Sequence, residues 1–188
     1  KGTLPAENRI VLRNVGIVDP ESIDDFFAYE GGQAFATALQ ITPELVVEII
    51  KASGLRGRGG AGFPAGIKWD SVRKTLGKKK YVICNADESE PGTFKDRVIM
   101  EGDPFSIIEA MLIAAYAIGS DEGYIYIRGE YQLALDRVQI AIQQAREYGG
   151  VGKKTFWSGF CFHISIYARG GAFIFGGKNT PPGSTEGG

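Results

Sequence analysis

The segment SGLRGRGGAGFPAGIKW, residues 53–69, combines five glycines within ten positions with two arginines, a lysine and a tryptophan. A glycine cluster is typical of backbone with positive φ, or of backbone that a ligand approaches closely. The loop opens into a predicted helix, whose free N–H groups and dipole favour an anion, and Lys68 near its first turn adds a cation. An anion-binding loop is therefore one interpretation, and a surface turn with scattered arginines is the alternative.

Two common phosphate-binding motifs do not fit this loop. Gly57, Gly59 and Gly62 match the pattern G-x-G-x-x-G, but a dinucleotide fingerprint needs a preceding strand and an acidic residue about 20 positions later. Here the preceding segment has a helical period, and residues 78–80 are all lysine. A P-loop would have Lys directly after its last glycine, whereas this chain has Phe63. The sequence therefore excludes both standard motifs.

A second segment, CNADESEPGTFKDR at residues 84–97, follows a predicted strand. In open α/β sheets, ligands gather beyond the carboxyl ends of the strands. Asp87, Glu88 and Glu90 lie within four positions, and carboxylates this close repel one another unless donors face them. Ribose hydroxyls and amide groups are such donors, and Asn85 can both donate and accept. A solvated turn before the Pro-Gly pair is the alternative interpretation.

The elements that would position these loops follow from hydrophobic periodicity and from turn signals. Strands alternate with helices, which predicts the α/β class with a parallel sheet covered on both faces. The expected order is an extended segment over 9–18, a helical stretch over 22–39 with a glycine break, a helix over 42–54, the glycine loop, a helix over 66–76, a strand over 80–85, the acidic loop, a helix near 104–118, a strand over 123–128, a helix near 131–148, a strand over 162–168 and a last strand over 172–176.

Two of the predicted helices have a clear apolar face. Thr42 caps the first of them, Pro43 takes its first position, and Gly54 ends it. Its apolar stripe is predicted at Leu45, Val46, Ile49 and Ile50. The stripe of the helix near 131–148 is predicted at Ala134, Val138, Ala141 and Ile142. His163 lies inside an apolar strand, and we expect it to pack in the core rather than act as a base.

Composition narrows the function classes. The 188 residues are 44% hydrophobic and 23% charged, which suits one domain with a real core. The net charge of −1 provides no basic field for nucleic acid, and no apolar run approaches the roughly 20 residues of a membrane span. The polar N-terminus lacks a signal-peptide pattern. Cys84 and Cys161 form no metal-binding spacing and no disulfide framework, so we expect no metal site and a cytoplasmic location.

Three motifs together resemble one protein family. LRGRGGAGFPAGIKW, NADESEPGTFKDR and YIYIRGEY are similar to the flavin-bearing, NADH-oxidising subunit of respiratory complex I and to the diaphorase subunits of NAD-linked hydrogenase and formate dehydrogenase. The resemblance runs from about residue 8 to about residue 176. It implies a modified Rossmann-like fold in which FMN and NADH share one cavity. The implied activity is hydride transfer from NADH to FMN, with electrons passed to iron–sulfur clusters outside this chain.

The resemblance also assigns roles to individual residues. The glycine loop is implied to serve both ligands, Phe63 to stack on NADH, and Lys68 to contact the flavin phosphate. Arg128, Glu130 and Tyr131 are expected to form a structural ion pair and hydrogen bond, with a role in the site as the alternative. Glu88 and Glu90 are implied to lie near the nicotinamide nucleotide, and they are the two residues expected to be catalytic. The remaining cofactor-binding residues are Gly57, Arg58, Gly59, Gly60, Ala61, Gly62, Asn85, Asp87, Glu88, Phe173 and Gly176.

The chain departs from the family pattern after its last predicted strand. Gly177 and Lys178 stand where the family has two glutamates, and two prolines oppose the helix that should follow. We therefore expect an altered or missing C-terminal part, with a lead-in over 1–41, an FMN- and NADH-binding domain over 42–176 and an irregular tail over 177–188. A scaffold remnant that binds cofactor poorly, or a truncated product, is the alternative.

The family implies partners as well as cofactors. These are a thioredoxin-like [2Fe–2S] subunit and a larger dehydrogenase or hydrogenase complex, which allows a peripheral position on a membrane-bound assembly. The [4Fe–4S] cluster of the full-length family cannot be ligated here, because the chain has two cysteines and such a cluster needs four.

Overall fold

A computed structural model describes residues 9–152 and 160–168, together with the backbone of 172–175. Its sheet has four strands in the order β1-β2-β3-β4, and the first three are parallel. Cys84 of β1 lies opposite Ile125 of β2, which lies opposite Ile166 of β3. The α/β class with a Rossmann-like parallel sheet is confirmed, but β4 pairs antiparallel to β3. The strands are β1 Tyr81–Ala86, β2 Glu122–Ile127, β3 His163–Ala168 and β4 Ala172–Phe175.

Seven helices lie in the described part of the chain. The second and third parallel strands are each reached through a crossover, which contains α5 and α6 before β2 and α7 before β3. The helices are α1 Ile23–Ala28, α2 Gln33–Ala38, α3 Pro43–Ala52, α4 Ala65–Lys74, α5 Lys95–Gly102, α6 Pro104–Ile118 and α7 Gln132–Glu147. All the helices predicted from the sequence are present, while α5 was missed, because its first three residues were assigned to the acidic loop and no element was predicted over 98–103. Asp103 separates α5 from α6 by accepting from Ser106 N at 3.3 Å.

The helices do not cover both faces of the sheet in the described residues, so that expectation is wrong. The three parallel strands are added in one direction, and right-handed crossovers then place every connecting helix on the same face. Side chains on that face, including Ile125 and Ile166, are fully buried. On the opposite face Tyr81 is 45% exposed and Ile83 is 67% exposed. The strands therefore alternate between a core face and an open face.

Helix α6 is the centre of the core. Most of its side chains are buried around the whole circumference, as expected of a helix with neighbours on every side. Phe26 of α1 and Phe35 of α2 join the same apolar cluster as α6 and α7. Val47 of α3 and Trp69 of α4 pack near Ala117 at the other end of α6. The predicted stripe of α7 is confirmed, since all four of its residues are buried.

Three local expectations are corrected by the structure. Residues 9–18 form successive turns rather than an extended segment, because their hydrogen bonds are local, as from Val18 N to Asn14 O at 3.0 Å. Asn14 anchors these turns by donating to buried Asp103 at 2.8 Å. Helix α3 buries Val46 and Val47, whereas the predicted stripe residues Leu45 and Ile49 are exposed. His163 is half-buried and not a core residue.

Candidate functional site

The acidic loop begins where β1 ends and leads directly into α5. Asn85 Oδ1 accepts from Asp87 N at 3.2 Å, and Glu88 N donates to Ala86 O at 3.1 Å. Thr93 N then donates to Glu90 O at 3.1 Å, which closes a turn around the Pro-Gly pair. The Glu90 side chain is exposed. The position of a polar loop at the carboxyl end of a strand is therefore as the sequence predicted.

Glu88 has a different environment from its neighbours. Its side chain is only 4% exposed, and its carboxylate accepts from Asp96 N at 3.0 Å and from Arg97 N at 3.1 Å. These amides belong to the first turn of α5, where Phe94 at the N-cap provides no side-chain acceptor. A carboxylate is favoured at such a terminus, because it satisfies free N–H groups and complements the helix dipole. The Glu88 carboxylate thus caps α5.

The loop after β2 reaches across to the acidic loop. Arg128 Nη1 donates to Glu88 O at 3.1 Å, and the Tyr131 hydroxyl donates to the same oxygen at 3.2 Å. Arg128 also pairs with Glu130 at 2.6 Å, so the predicted structural ion pair is confirmed. Arg128 Nε lies 3.9 Å from Asp87 Oδ1. The YIYIRGEY motif therefore supports the acidic loop from the neighbouring strand.

Arg97 also belongs to this cluster, although the sequence did not predict it there. Its guanidinium carbon lies 5.4 Å from the centroid of the Tyr131 ring, and that of Arg128 lies 5.8 Å from the same centroid. Both distances fall within the range of cation–π attraction. The spacing of Arg97 from Glu88 gave no signal in the sequence, because the two residues meet only when α5 forms.

The glycine loop is closed at its base by backbone pairing. Gly57 N donates to Phe63 O at 2.9 Å, and Ala65 N donates to Leu55 O at 2.8 Å. The Arg56 guanidinium donates to Gly62 O at 3.0 Å inside this loop. The tip over 58–61 is exposed. The loop is therefore a narrow hairpin whose tip projects into open space.

Only some of the glycines are required by the backbone. Gly60 has φ 109° and Gly62 has φ 61°, which side-chain-bearing residues rarely adopt. A Cβ on Gly59, Gly60 or Gly62 would meet nothing within 4 Å. The Phe63 ring is 54% exposed beside them. Space therefore exists for a ligand to approach the bare backbone and the ring.

Helix α4 begins immediately after this loop with no capping group. Pro64 occupies the N-cap, no side chain accepts from the first-turn amides, and no acidic residue lies in that turn. Lys68 is exposed and makes no ion pair within residues 9–152 and 160–168. Uncapped amides and a nearby cation together form an anion-binding arrangement.

The opposite side of α4 is fixed to α3 through Asp70. Its carboxylate accepts from Lys74 at 2.7 Å and from Lys51 at 2.9 Å. These two hydrogen bonds lower the pKa of Asp70 to about 2. The Lys80 ammonium donates to Arg73 O at 2.7 Å, so the last turn of α4 lies beside the start of β1. The glycine loop is therefore mounted on a helix that is held at its far end.

The structure does not describe every predicted site residue. Phe173 contributes its backbone to β4, but its side chain lies outside the described residues, as does Gly176. The tail over 177–188, with Gly177 and Lys178, also lies outside them. Within the described ranges, no cluster of His, Cys, Asp or Glu could hold a metal ion. In the same ranges no helix is long and apolar enough to span a membrane.

A cavity of about 430 Å³ lies between α1, α2, α6 and α7, and none of its lining residues belongs to the two loops. Its wall is mostly apolar, and burial of a charged ligand there would lack compensating donors. We therefore place the candidate site at the two loops. The main apolar lining residues of this cavity are Phe26, Phe27, Phe35, Phe105, Ile108 and Leu112.

Comparison with known proteins places the chain in a family. The family model of the Nuo51 FMN-binding domain matches residues 50–181. The NADP-reducing hydrogenase subunit HndC of Solidesulfovibrio fructosivorans is 51% identical over 95% of this chain and 36% of its own length. An NADH-quinone oxidoreductase subunit of Rhizobium meliloti is 49% identical over 95% of this chain and 42% of its own length.

Solved structures agree with the sequence comparisons. The crystal structure of NAD+-reducing [NiFe]-hydrogenase in the air-oxidized state matches with a TM-score of 0.64 and 32% identity, over 88% of this chain and 25% of that chain. This chain thus spans less than half the length of these similar proteins. The matched region includes the glycine loop, the acidic loop and the YIYIRGEY motif. The chain therefore belongs to the family of the Nuo51 FMN-binding domain.

Proposed function

We propose that this chain binds FMN and NADH and acts as the electron-input domain of an NADH dehydrogenase-type complex. The observation that carries the proposal is an uncapped helix that begins after an exposed glycine loop, in a member of an FMN-binding domain family. The names of two similar proteins, an NADH-quinone oxidoreductase subunit and an NADP-reducing hydrogenase subunit, support an oxidoreductase role.

The flavin phosphate fits the start of α4. Phosphate is a strong acceptor, and no side chain caps the first turn of α4, in which Ala65 N alone already donates to a carbonyl, that of Leu55. Lys68 supplies the positive charge, while Gly59 and Gly60 allow the phosphate to approach the main chain closely. A mononucleotide matches this arrangement better than FAD, because the dinucleotide fingerprint is not satisfied. Arg58 at the exposed tip adds a second cation for NADH.

The remaining polar groups fit the sugar and ring portions of the two ligands. Asn85 is exposed at the end of β1 and can donate or accept. The Asp87 and Glu90 carboxylates can accept from ribityl or ribose hydroxyls. The Phe63 ring can stack on a flat base. Glu88 contributes in another way, because its carboxylate holds α5 in place.

When bound, FMN supplies the hydride acceptor, and the protein supplies binding, orientation and exclusion of water. Glu90 would orient NADH from the acidic loop, while the glycine loop holds the phosphates. The electrons would leave the domain for iron–sulfur clusters of partner subunits, with a thioredoxin-like [2Fe–2S] subunit as the first candidate. A cytoplasmic position, free or on the surface of a larger complex, is part of the same proposal.

Titration of the 188-residue chain with FMN tests the proposal. We expect quenching of flavin fluorescence with one site per chain, weaker binding of FAD, and bleaching of the bound flavin when NADH is added without oxygen. Stoichiometric binding of FAD in preference to FMN would contradict the mononucleotide assignment. A folded chain that binds no flavin would contradict the proposal and favour the alternative, a scaffold remnant that binds cofactor poorly.

A further inference from the structure

We infer that Arg128 and Tyr131 are positioning residues that set the orientation of the acidic loop toward the flavin, an inference that rests on the proposed function. Neither side chain needs to touch a ligand for this role. Both donate to one atom, the carbonyl oxygen of Glu88. That oxygen belongs to the peptide linking Glu88 to Ser89, on the chain path from Asp87 to Glu90.

Glu88 is held on two sides by different elements. Its carbonyl oxygen is held by the loop after β2, at distances of 3.1 and 3.2 Å, and its carboxylate is held by α5, at 3.0 and 3.1 Å. A carbonyl oxygen has two lone pairs, so two donors saturate it. The peptide plane after Glu88 therefore cannot rotate without breaking two hydrogen bonds at once.

This peptide determines where the neighbouring carboxylates point. Asp87 precedes Glu88 directly, and Glu90 follows two positions later on the exposed side of the loop. An orientation that is fixed before binding spares the ligand the entropy cost of ordering the loop. Supporting contacts of this kind keep binding groups close to their productive geometry. Loss of the hydrogen bonds from Arg128 and Tyr131 to Glu88 O should thus weaken flavin binding without removing any group that touches the flavin.

The Tyr131 ring and the Tyr131 hydroxyl can be separated experimentally. The ring faces the guanidinium groups of Arg97 and Arg128, and these contacts do not involve the hydroxyl. The substitution Tyr131→Phe keeps the ring and removes only the bond to Glu88 O. Tyr29→Phe is the matched control, because Tyr29 is a 49% exposed residue at the end of α1 and belongs to neither loop of the candidate site.

The test compares FMN and riboflavin, which share the ring and ribityl chain but differ in the phosphate. For Tyr131→Phe we expect about 3- to 10-fold weaker binding of both flavins by the same factor, the loss typical of one hydrogen bond. Tyr29→Phe should bind both flavins as tightly as the unaltered chain does. Arg128→Lys, which keeps the charge but not the fork of donors, should also weaken both equally.

The outcomes separate this inference from the proposed function. If the unaltered chain binds no flavin, the proposed function fails. If the unaltered chain binds FMN, and Tyr131→Phe binds each flavin as tightly as the unaltered chain does, the positioning role is refuted. A loss confined to FMN would also refute it, since the defect would then lie at the phosphate. The visible circular dichroism of bound flavin should change in Tyr131→Phe and stay constant in Tyr29→Phe.

Discussion

The acidic loop and the glycine loop differ in how the polypeptide supports them. The acidic loop is built around a buried glutamate with four hydrogen bonds to its carboxylate and carbonyl oxygens, from α5 and from the loop after β2. The glycine loop has backbone pairing at its base and one side-chain bond, from Arg56 to Gly62 O, and its tip is exposed. One loop is therefore ordered by the protein, and the other presents donors that the protein leaves unsatisfied.

This difference assigns separate energetic roles to the two loops. A group whose partners lie inside the protein contributes mainly to folding, and its removal leaves buried donors unsatisfied. A group whose partners are absent from the protein contributes mainly to binding. Substitutions in the acidic loop should therefore change stability according to burial. Substitutions of exposed side chains beside the glycine loop, such as Lys68, should change affinity and leave stability unaltered.

The largest expected effect is at Glu88. Glu88→Ala removes the acceptor of two α5 amides, and we expect the free energy of unfolding to fall by about 3 kcal/mol. Glu90→Ala, two positions away and exposed, should change it by less than about 0.5 kcal/mol. Urea unfolding monitored by circular dichroism measures both. Equal unfolding free energies for the two variants would show that the buried Glu88 carboxylate contributes no more to stability than the exposed Glu90 carboxylate.

The next effect is at Lys68 and concerns binding alone. Lys68→Met removes the charge at nearly constant length, so FMN affinity should fall by roughly 1.5–3 kcal/mol, the scale of a charge-assisted hydrogen bond. Riboflavin affinity and the unfolding free energy should not change. Lys78→Met, at another exposed lysine, is the control. Equal losses for FMN and riboflavin would show that Lys68 does not act on the phosphate.

A smaller effect tests the glycine loop itself. Gly60→Ala places a Cβ on a residue with φ 109°, and the strain should lower stability by about 1–2 kcal/mol. Gly59 has no positive φ, and an added Cβ there meets nothing within 4 Å. Gly59→Ala should therefore leave stability unchanged or raise it slightly. If Gly59→Ala destabilises as much as Gly60→Ala, backbone strain is not what requires the glycine.

Both loops and most of the elements that carry them are evident in the sequence. Local signals sufficed for this, such as Thr42 and Pro43 at the start of α3 and the apolar stripe of α7. The sequence could not distinguish Glu88 from Glu90, because burial depends on contacts far along the chain, and Arg128 is 40 positions away from Glu88. The open face of the sheet was missed because periodicity does not reveal the direction in which strands are added.

The smallest expected effect concerns the helix on which the glycine loop is mounted. Asp70 has a pKa of about 2, below its ordinary value of about 3.9, because Lys74 and Lys51 donate to its carboxylate. A pKa that is lower in the folded state stabilises the protein above the ordinary value, and the stabilisation is lost as the pH falls through the folded pKa. We therefore expect the unaltered chain to have a higher melting temperature than Asp70→Asn at pH 7, and this difference in melting temperature to shrink between about pH 4 and about pH 2.

The control is Glu48→Gln, which removes an exposed partner of the same Lys51 and should lower the melting temperature by less. Thermal melts at several pH values decide the matter. A difference that is independent of pH would show that Asp70 acts through packing, and that α4 does not need this ion pair to hold the glycine loop.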